Sequence, residues 1–285
     1  MTTPAPTPPR AIPREVLDLI TPRAKRLVLS RRGSTVWYVE TEDPETEKTS
    51  AHAVKLGFAS ETHAHTALAP SREAYVLRTL GGDTVRDGTW SEGTWNIQPW
   101  YTGPSLHSKW GPYRSAESTA VPNYLDALSC AAALSDLHRA GWIHGDVQPA
   151  HLIMGESGTT LIDLALARGR TVPDALDFAY RGCLVHYEAP EISRSVLEFG
   201  TAEPTRESDV YALGASLMIS ATGWRHVAYP DDAPREVQRQ AIVDGPHRPV
   251  TIPGELGKLV NAMLMPSPAD RPSAAEACEA LCLAL

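Results

Sequence analysis

The sequence predicts an α+β chain, with strand patterns gathered in the first hundred residues and the longest helical pattern after residue 120. Three observations carry that expectation. Runs rich in β-branched and aromatic residues at 26–40, 51–56 and 93–98 are broken by turn residues. Helical spacing marks 71–80 and 121–141, and Ser273 with Glu276 spells a capping box that starts a final helix. Between these lie two aliphatic runs, Ile143-His144-Gly145-Asp146-Val147-Gln148-Pro149-Ala150-His151-Leu152-Ile153-Met154 and Leu161-Ile162-Asp163-Leu164-Ala165. A Gly155-Glu156-Ser157-Gly158 turn separates them, so they read as a β-hairpin with Asp146 at its mouth and Asp163 at its far end.

Two carboxylates so placed can divide labour. One can accept a proton from a hydroxyl nucleophile while the other holds a hard cation between phosphate oxygens. Composition narrows the field further. At 285 residues and 42% hydrophobic content, the chain can hold one large two-part unit or two small domains with ample core. Its net charge of −8 argues against nucleic acid or an anionic membrane as the main partner. Cys130, Cys183, Cys278 and Cys282 lack metal-type spacing and fit reduced thiols. With no apolar run of membrane-span length and no signal-peptide pattern, the expectation is a cytoplasmic protein.

Taken in order, residues 1–13 are too proline-rich for a helix or a central strand and read as a flexible lead-in, with a short helix at 15–20 before Pro22. Residues 26–40 read as two strands joined near Gly33, and an exposed acidic loop over 41–50 leads to a third strand, Ala51-His52-Ala53-Val54-Lys55-Leu56. The helix at 71–80 carries Glu73 and stops at Gly81-Gly82. A strand at 93–98 then runs into Pro99-Trp100-Tyr101-Thr102-Gly103-Pro104-Ser105-Leu106. In the helix over 121–141, Leu125, Leu128, Ala131, Leu134 and Leu137 form a broad apolar face that should be largely buried. Residues 164–187 lack a sustained period and read as a loop.

The set of motifs, in this order over residues 25–285, resembles the protein-kinase superfamily. His144-Gly145-Asp146-Val147-Gln148-Pro149-Ala150-His151 is similar to the catalytic loop, and Asp163-Leu164-Ala165 to the metal-binding turn. Ala53-Val54-Lys55 followed by Glu73 is similar to the lysine–glutamate pair that addresses the nucleotide phosphates. Ala189-Pro190-Glu191 resembles the close of the activation segment. Asp209 falls where an aspartate anchors the catalytic loop, and Arg271 where an arginine pairs with the Ala-Pro-Glu glutamate.

The resemblance implies a two-lobed fold, with a lead-in and short helix at 1–24, a small β-rich N-lobe at 25–101 and a larger α-helical C-lobe at 102–285. It also implies ATP with magnesium or manganese as cofactors. Asp146, Lys55, Glu73 and Gln148 take the catalytic positions, and Asp163 and His151 the metal positions. Gly33, Ser34, Val36, Lys55, Pro99 and Tyr101 are placed around the nucleotide, with Gln98 as gatekeeper.

Several working positions depart from the family pattern. The glycine-rich loop retains Gly33, with Arg31 and Arg32 beside it; an arginine there could compensate by charge. Gly145 replaces the arginine that reads an activation-loop phosphate, Gln148 a lysine, His151 an asparagine, and Ala165 a glycine. Imidazole is a poorer magnesium ligand than an oxygen and suits manganese better. His151 can equally serve as a hydrogen-bonding residue of the loop.

Three functions follow. The first is an atypical Ser/Thr kinase acting on a protein or peptide hydroxyl, including a precursor peptide of a lanthipeptide-like pathway. The second is a pseudokinase that binds a partner protein. The third is a small-molecule kinase of the aminoglycoside-phosphotransferase type, which shares His-Gly-Asp.

Overall fold

The computed structural model describes residues 10–31, 33–43, 45–60, 64–114 and 121–285. The lead-in up to residue 9 and Arg32 lie outside these residues. The chain divides into two compact units. The first runs to Trp100 and takes in Val172–Phe178, and the second comprises Tyr101–Thr171 and Ala179–Leu285. The α+β architecture expected from the sequence is present: a small antiparallel sheet in the first unit and a larger helical second unit.

In the first unit, helix α1 (Arg14–Ile20) precedes strands β1 (Pro22–Arg31), β2 (Ser34–Glu42) and β3 (Thr49–Phe58). Helix α2 (Ala69–Thr79) and strands β4 (Arg86–Trp90) and β5 (Gly93–Pro99) follow. The sheet order is β1-β2-β3-β5-β4, antiparallel throughout. The loop expected over 41–50 is shorter than the sequence suggests. β2 and β3 pair from Ser34↔Gly57 to Glu42↔Thr49, because alternating polar residues suit an exposed ladder as well as a loop. β4 gave no strong sequence signal, being short and interrupted by Gly88, whose missing side chain lets the Trp95 ring pack on it. Ile12, Val16, Val39, Val54, Leu56, Trp95 and Ile97 form the core of this unit.

In the second unit, the short helix α3 (Leu106–Lys109) leads to α4 (Tyr124–Arg139), capped by the Asn123 side chain. The buried face of α4 is Ala127, Cys130, Ala131, Leu134, Leu137 and His138, a 3.6-residue period. Leu125, expected inside, is 56% exposed. A strict three-residue repeat drifts around the helix, and the first turn has rotated out of the core by that point.

The hairpin is formed by β6 (Leu152–Gly155) and β7 (Gly158–Leu161), with Gly155 opposite Gly158. Its strands are shorter than the aliphatic runs: residues 143–147 contribute a single bridge, Ile143 to Arg168, so Asp146 sits on a loop. Helices α5 (Pro190–Phe199), α6 (Arg206–Thr222), α7 (Arg235–Asp244), α8 (Gly254–Met263) and α9 (Ala274–Leu283) complete the unit. The α9 capping box of Ser273 and Glu276 is present. α6 is buried along nearly its whole length and carries the centre of the larger core. Among the described residues, no helix is long and apolar enough to cross a membrane.

Candidate active site

The first unit supplies a polar cluster on one face of its sheet. Lys55 on β3 lies opposite Val36 on β2 and Asn96 on β5, so these three side chains share that face. Lys55 Nζ donates to Glu73 Oε1 at 2.7 Å, with the two side chains 13% and 1% exposed. Glu73 is held from its other oxygen: Asn96 Nδ2 donates to Glu73 Oε2 at 3.1 Å and to the Pro70 carbonyl at 2.8 Å. Gln98 in turn donates to Asn96 Oδ1 at 3.3 Å. Asn96 is fully buried and escaped the sequence reading. Its signal was there, because it lies two residues before Gln98 on an alternating strand and must therefore share a face with it.

The turn between β1 and β2 is tight, with Arg31 opposite Ser34. Gly33 has φ +80°, and the space of its missing side chain is filled by Thr66 Oγ1 and the Phe58 carbonyl. The Gly33 carbonyl also accepts from the Phe58 N–H at 2.8 Å. Ser34 and Val36 lie within β2 and are half-buried. At the end of β5, the Trp100 N–H donates to the Ala51 carbonyl at 3.0 Å, which turns the Pro99 carbonyl away from β3.

In the second unit, Asp209 near the start of α6 holds the loop that carries Asp146. It accepts from the backbone N–H groups of His144 at 2.6 Å and Gly145 at 2.9 Å, and pairs with His138 Nε2 at 3.0 Å. His144 is fully buried, which pushes its pKa down against the opposing pull of Asp209. Its Nδ1 accepts from the Asp146 N–H, so Nε2 carries the proton and donates to the Ile162 carbonyl. Gly145 has φ +75°, and a Cβ there would lie 2.9 Å from the Leu166 carbonyl. Its carbonyl accepts from Tyr180 Oη at 2.6 Å. The position therefore demands glycine, and the family's arginine has no place in this backbone.

Asp146 Oδ2 accepts from Gln148 Nε2 at 3.1 Å, whereas Oδ1 is buried with no hydrogen-bond partner among the described residues. Burial first, then the charge of Asp163, pushes the Asp146 pKa up to about 7; His144, the Leu184 N–H and Gln148 oppose the rise. Gln148, itself buried, thus bonds Asp146 directly. Asp163 follows β7 in the left-handed region, at φ 66°, which short acidic residues tolerate better than most.

His151 Nδ1 donates to the Asp146 carbonyl at 2.9 Å, which leaves Nε2 3.3 Å from Asp163 Oδ2. A nitrogen and a carboxylate oxygen at that separation can share a proton or a cation. Among the described residues, no three His, Cys, Asp or Glu side chains converge on a closed metal cage. One or two protein ligands with open positions nevertheless suit a magnesium or manganese ion that is completed by phosphate oxygens. The donor set of Asp163 and His151 fits such an ion.

Two further contacts complete the second unit's resemblance. Glu191 and Arg271 form the expected pair, with Nη1 to Oε1 at 2.7 Å and Nη2 to Oε2 at 2.8 Å. Glu188, buried before Ala189-Pro190-Glu191, accepts from Arg239 and Ser193 and from the Cys183 N–H.

No family model matches the chain. Among curated proteins it is similar to the serine/threonine-protein kinase PknK of Mycobacterium tuberculosis, at 28% identity over 188 residues, 63% of this chain and 16% of the relative. It is also 27% identical over 150 residues to the serine/threonine-protein kinase AfsK of Streptomyces coelicolor, which covers 53% of this chain and 18% of AfsK. The serine/threonine-protein kinase PkaA of the same organism is 30% identical over 179 residues, 60% of this chain and 31% of PkaA. The chain thus spans less than a third of the length of each of these relatives. Together with the α+β fold and the ordered motifs, these similarities support a likeness to the protein-kinase-like superfamily.

Proposed function

We propose that the chain is an ATP-dependent phosphotransferase that modifies serine or threonine hydroxyls of a protein or peptide, with magnesium or manganese as its metal. The observation that carries this reading is the Lys55–Glu73 pair, formed at 2.7 Å and held by Asn96. A fixed ammonium so oriented binds phosphate oxygens without reorganising when the nucleotide arrives. The similarity to serine/threonine-protein kinases supports the same reading.

In the reaction, the unpartnered Oδ1 of Asp146 accepts the hydroxyl proton, and Gln148 orients that carboxylate through Oδ2. Asp163, with His151 beside it, holds the cation, which neutralises charge on the phosphates when bound. Because Asp146 must be ionised to accept a proton, the transfer rate should rise with pH through about 7.

A regulatory module that binds a partner protein is the second reading. It is favoured by the glycine-rich loop, which retains only Gly33 beside Arg31 and Arg32, and by Gln148 and His151 at working positions. Single-turnover transfer from labelled ATP, run with each metal on peptide and small-alcohol panels, separates the possibilities. Label on Ser/Thr peptides is the expected result. Label on small alcohols alone would assign a small-molecule phosphotransferase, and no label with either metal would leave the regulatory module.

The same assay tests His151. If its Nε2 shares the cation with Asp163, imidazole biases the site toward manganese. His151→Asn should then raise the magnesium-to-manganese activity ratio by about tenfold, the scale on which ligand-sphere changes act. An unchanged ratio in an active variant would make His151 a positioning residue of the loop, through its bond to the Asp146 carbonyl.

A further inference from the structure

Arg72, on the helix that carries Glu73, is completely buried although its charge is permanent. Its guanidinium turns onto the segment Val172–Phe178, which belongs to the same compact unit. Nη1 donates to Asp177 Oδ1 at 2.8 Å and to the Leu176 carbonyl at 3.1 Å. The guanidinium carbon lies 4.9 Å from the centre of the Phe178 ring, and that ring packs on His65 at 5.1 Å. The Asp177 carboxylate also accepts from the Phe178 N–H at 3.0 Å, so one oxygen fixes both the guanidinium and the local backbone. Residues 172–178 are therefore docked beside the Lys55–Glu73 pair, on the turn of α2 that positions it.

Two features of the same stretch bear on how it is controlled. Between Asp163 and Glu191, Thr171 is the only serine or threonine. The arginine that could read a phosphate from the catalytic loop is replaced by Gly145, where the backbone admits no side chain. The segment thus has one serine or threonine hydroxyl and no catalytic-loop socket for its phosphate. It does have a permanent carboxylate seated on a buried cation.

We propose that Arg72 and Asp177 form a permanent latch that holds the activation segment docked, doing with a genetically encoded carboxylate what a phosphate would otherwise do. Undocking would break the ion pair, the bond to the Leu176 carbonyl and the contact with the Phe178 ring, which biases the segment toward the docked state. Arg72 and Asp177 are positioning residues: they hold the helix that presents Glu73 to Lys55 and touch neither phosphate nor hydroxyl. The link to activity rests on the kinase reading above, whereas the docking itself does not.

The test uses the full chain, treated with phosphatase, as wild type, Asp177→Asn, Asp177→Glu and Thr171→Ala. Transfer kinetics and hydrogen exchange of residues 172–178 are both measured. Phosphatase treatment and Thr171→Ala should leave kcat and exchange unchanged. Asp177→Asn should lower kcat by about tenfold or more with little change in the KM for ATP, and speed exchange of the segment by about tenfold, as local opening exposes its amides. Asp177→Glu, which keeps the charge, should restore both. A loss of kcat on phosphatase treatment or in Thr171→Ala would overturn the proposal, as would unchanged exchange in Asp177→Asn. If the wild type transfers no phosphate, the kinase reading falls and exchange alone decides the latch.

Discussion

Asp146→Asn and Lys55→Met should each silence phosphate transfer while moving stability in opposite directions. With Asp146 as the general base proposed above, Asp146→Asn should lower the single-turnover rate by about 10²–10⁴-fold. The same change should stabilise the fold above neutral pH. The carboxyl of Asp146 is pushed up to about 7 by burial and by Asp163, from an ordinary value of 3.8. The folded state therefore holds its proton more tightly than the unfolded chain does, and stability falls as pH rises from about 4 to 7. Above that window the ionised carboxylate costs at most about 4 kcal/mol, an upper bound from roughly three pKa units. Asparagine carries no such penalty, so the variant should melt above the wild type at pH 8 and converge with it near pH 4.

Lys55→Met removes the ammonium proposed to address the phosphates and should abolish transfer. It also leaves Glu73, 1% exposed, with Asn96 in place of a cation partner. A buried carboxylate that loses its ion pair should destabilise the fold by about 1–3 kcal/mol, and adding Glu73→Gln should recover most of that. Melting curves at pH 8 distinguish the two variants. Equal losses of stability in both would mean that Asp146 is a structural carboxylate and not one held for chemistry.

Arg271→Ala should be the most destabilising single change in the second unit. The Arg271 side chain is fully buried and makes a two-pronged pair with Glu191. It also donates to the carbonyls of Met265, Pro266 and Glu207, and stacks 4.9 Å from the centre of the Tyr211 ring. Alanine strands the glutamate and three carbonyls at once. Removing one partner of a buried pair typically costs about 3–5 kcal/mol. Arg271→Lys should recover only part of this, since an ammonium cannot reproduce the planar fork. Urea denaturation measures both variants, and a midpoint for Arg271→Ala within error of the wild type would show that the segment closing on Glu191 is held by other contacts.

Much of the fold was legible because its signals are local. Alternation placed β2, β3 and β5, capping residues placed α9, and paired glycines placed the β6–β7 turn. The weaker elements were hidden for equally local reasons. β4 is short and broken by Gly88, and the exposed ends of β2 and β3 have a composition that suits a loop. On α4, the regular leucine repeat misled, because burial follows the 3.6-residue turn and leaves Leu125 outside.

What the sequence by itself determined is the identity and order of the chemical groups: Lys55, Glu73, Asp146, Asp163, Glu191, Asp209 and Arg271 follow one another in an order that resembles that of the protein-kinase superfamily. The tertiary structure decided how each group is held. Asn96 steadies Glu73 from a neighbouring strand, and Tyr180 braces the Gly145 carbonyl from 35 residues away. Gln148 is spent on Asp146, and Arg72 is turned onto Asp177 across 105 residues. All but the Gln148–Asp146 bond join residues far apart in the chain, and a side chain's hydrogen-bond partner and burial are set by what packs against it. Neither property is written in the residue's own neighbourhood, so both emerge only when the elements meet.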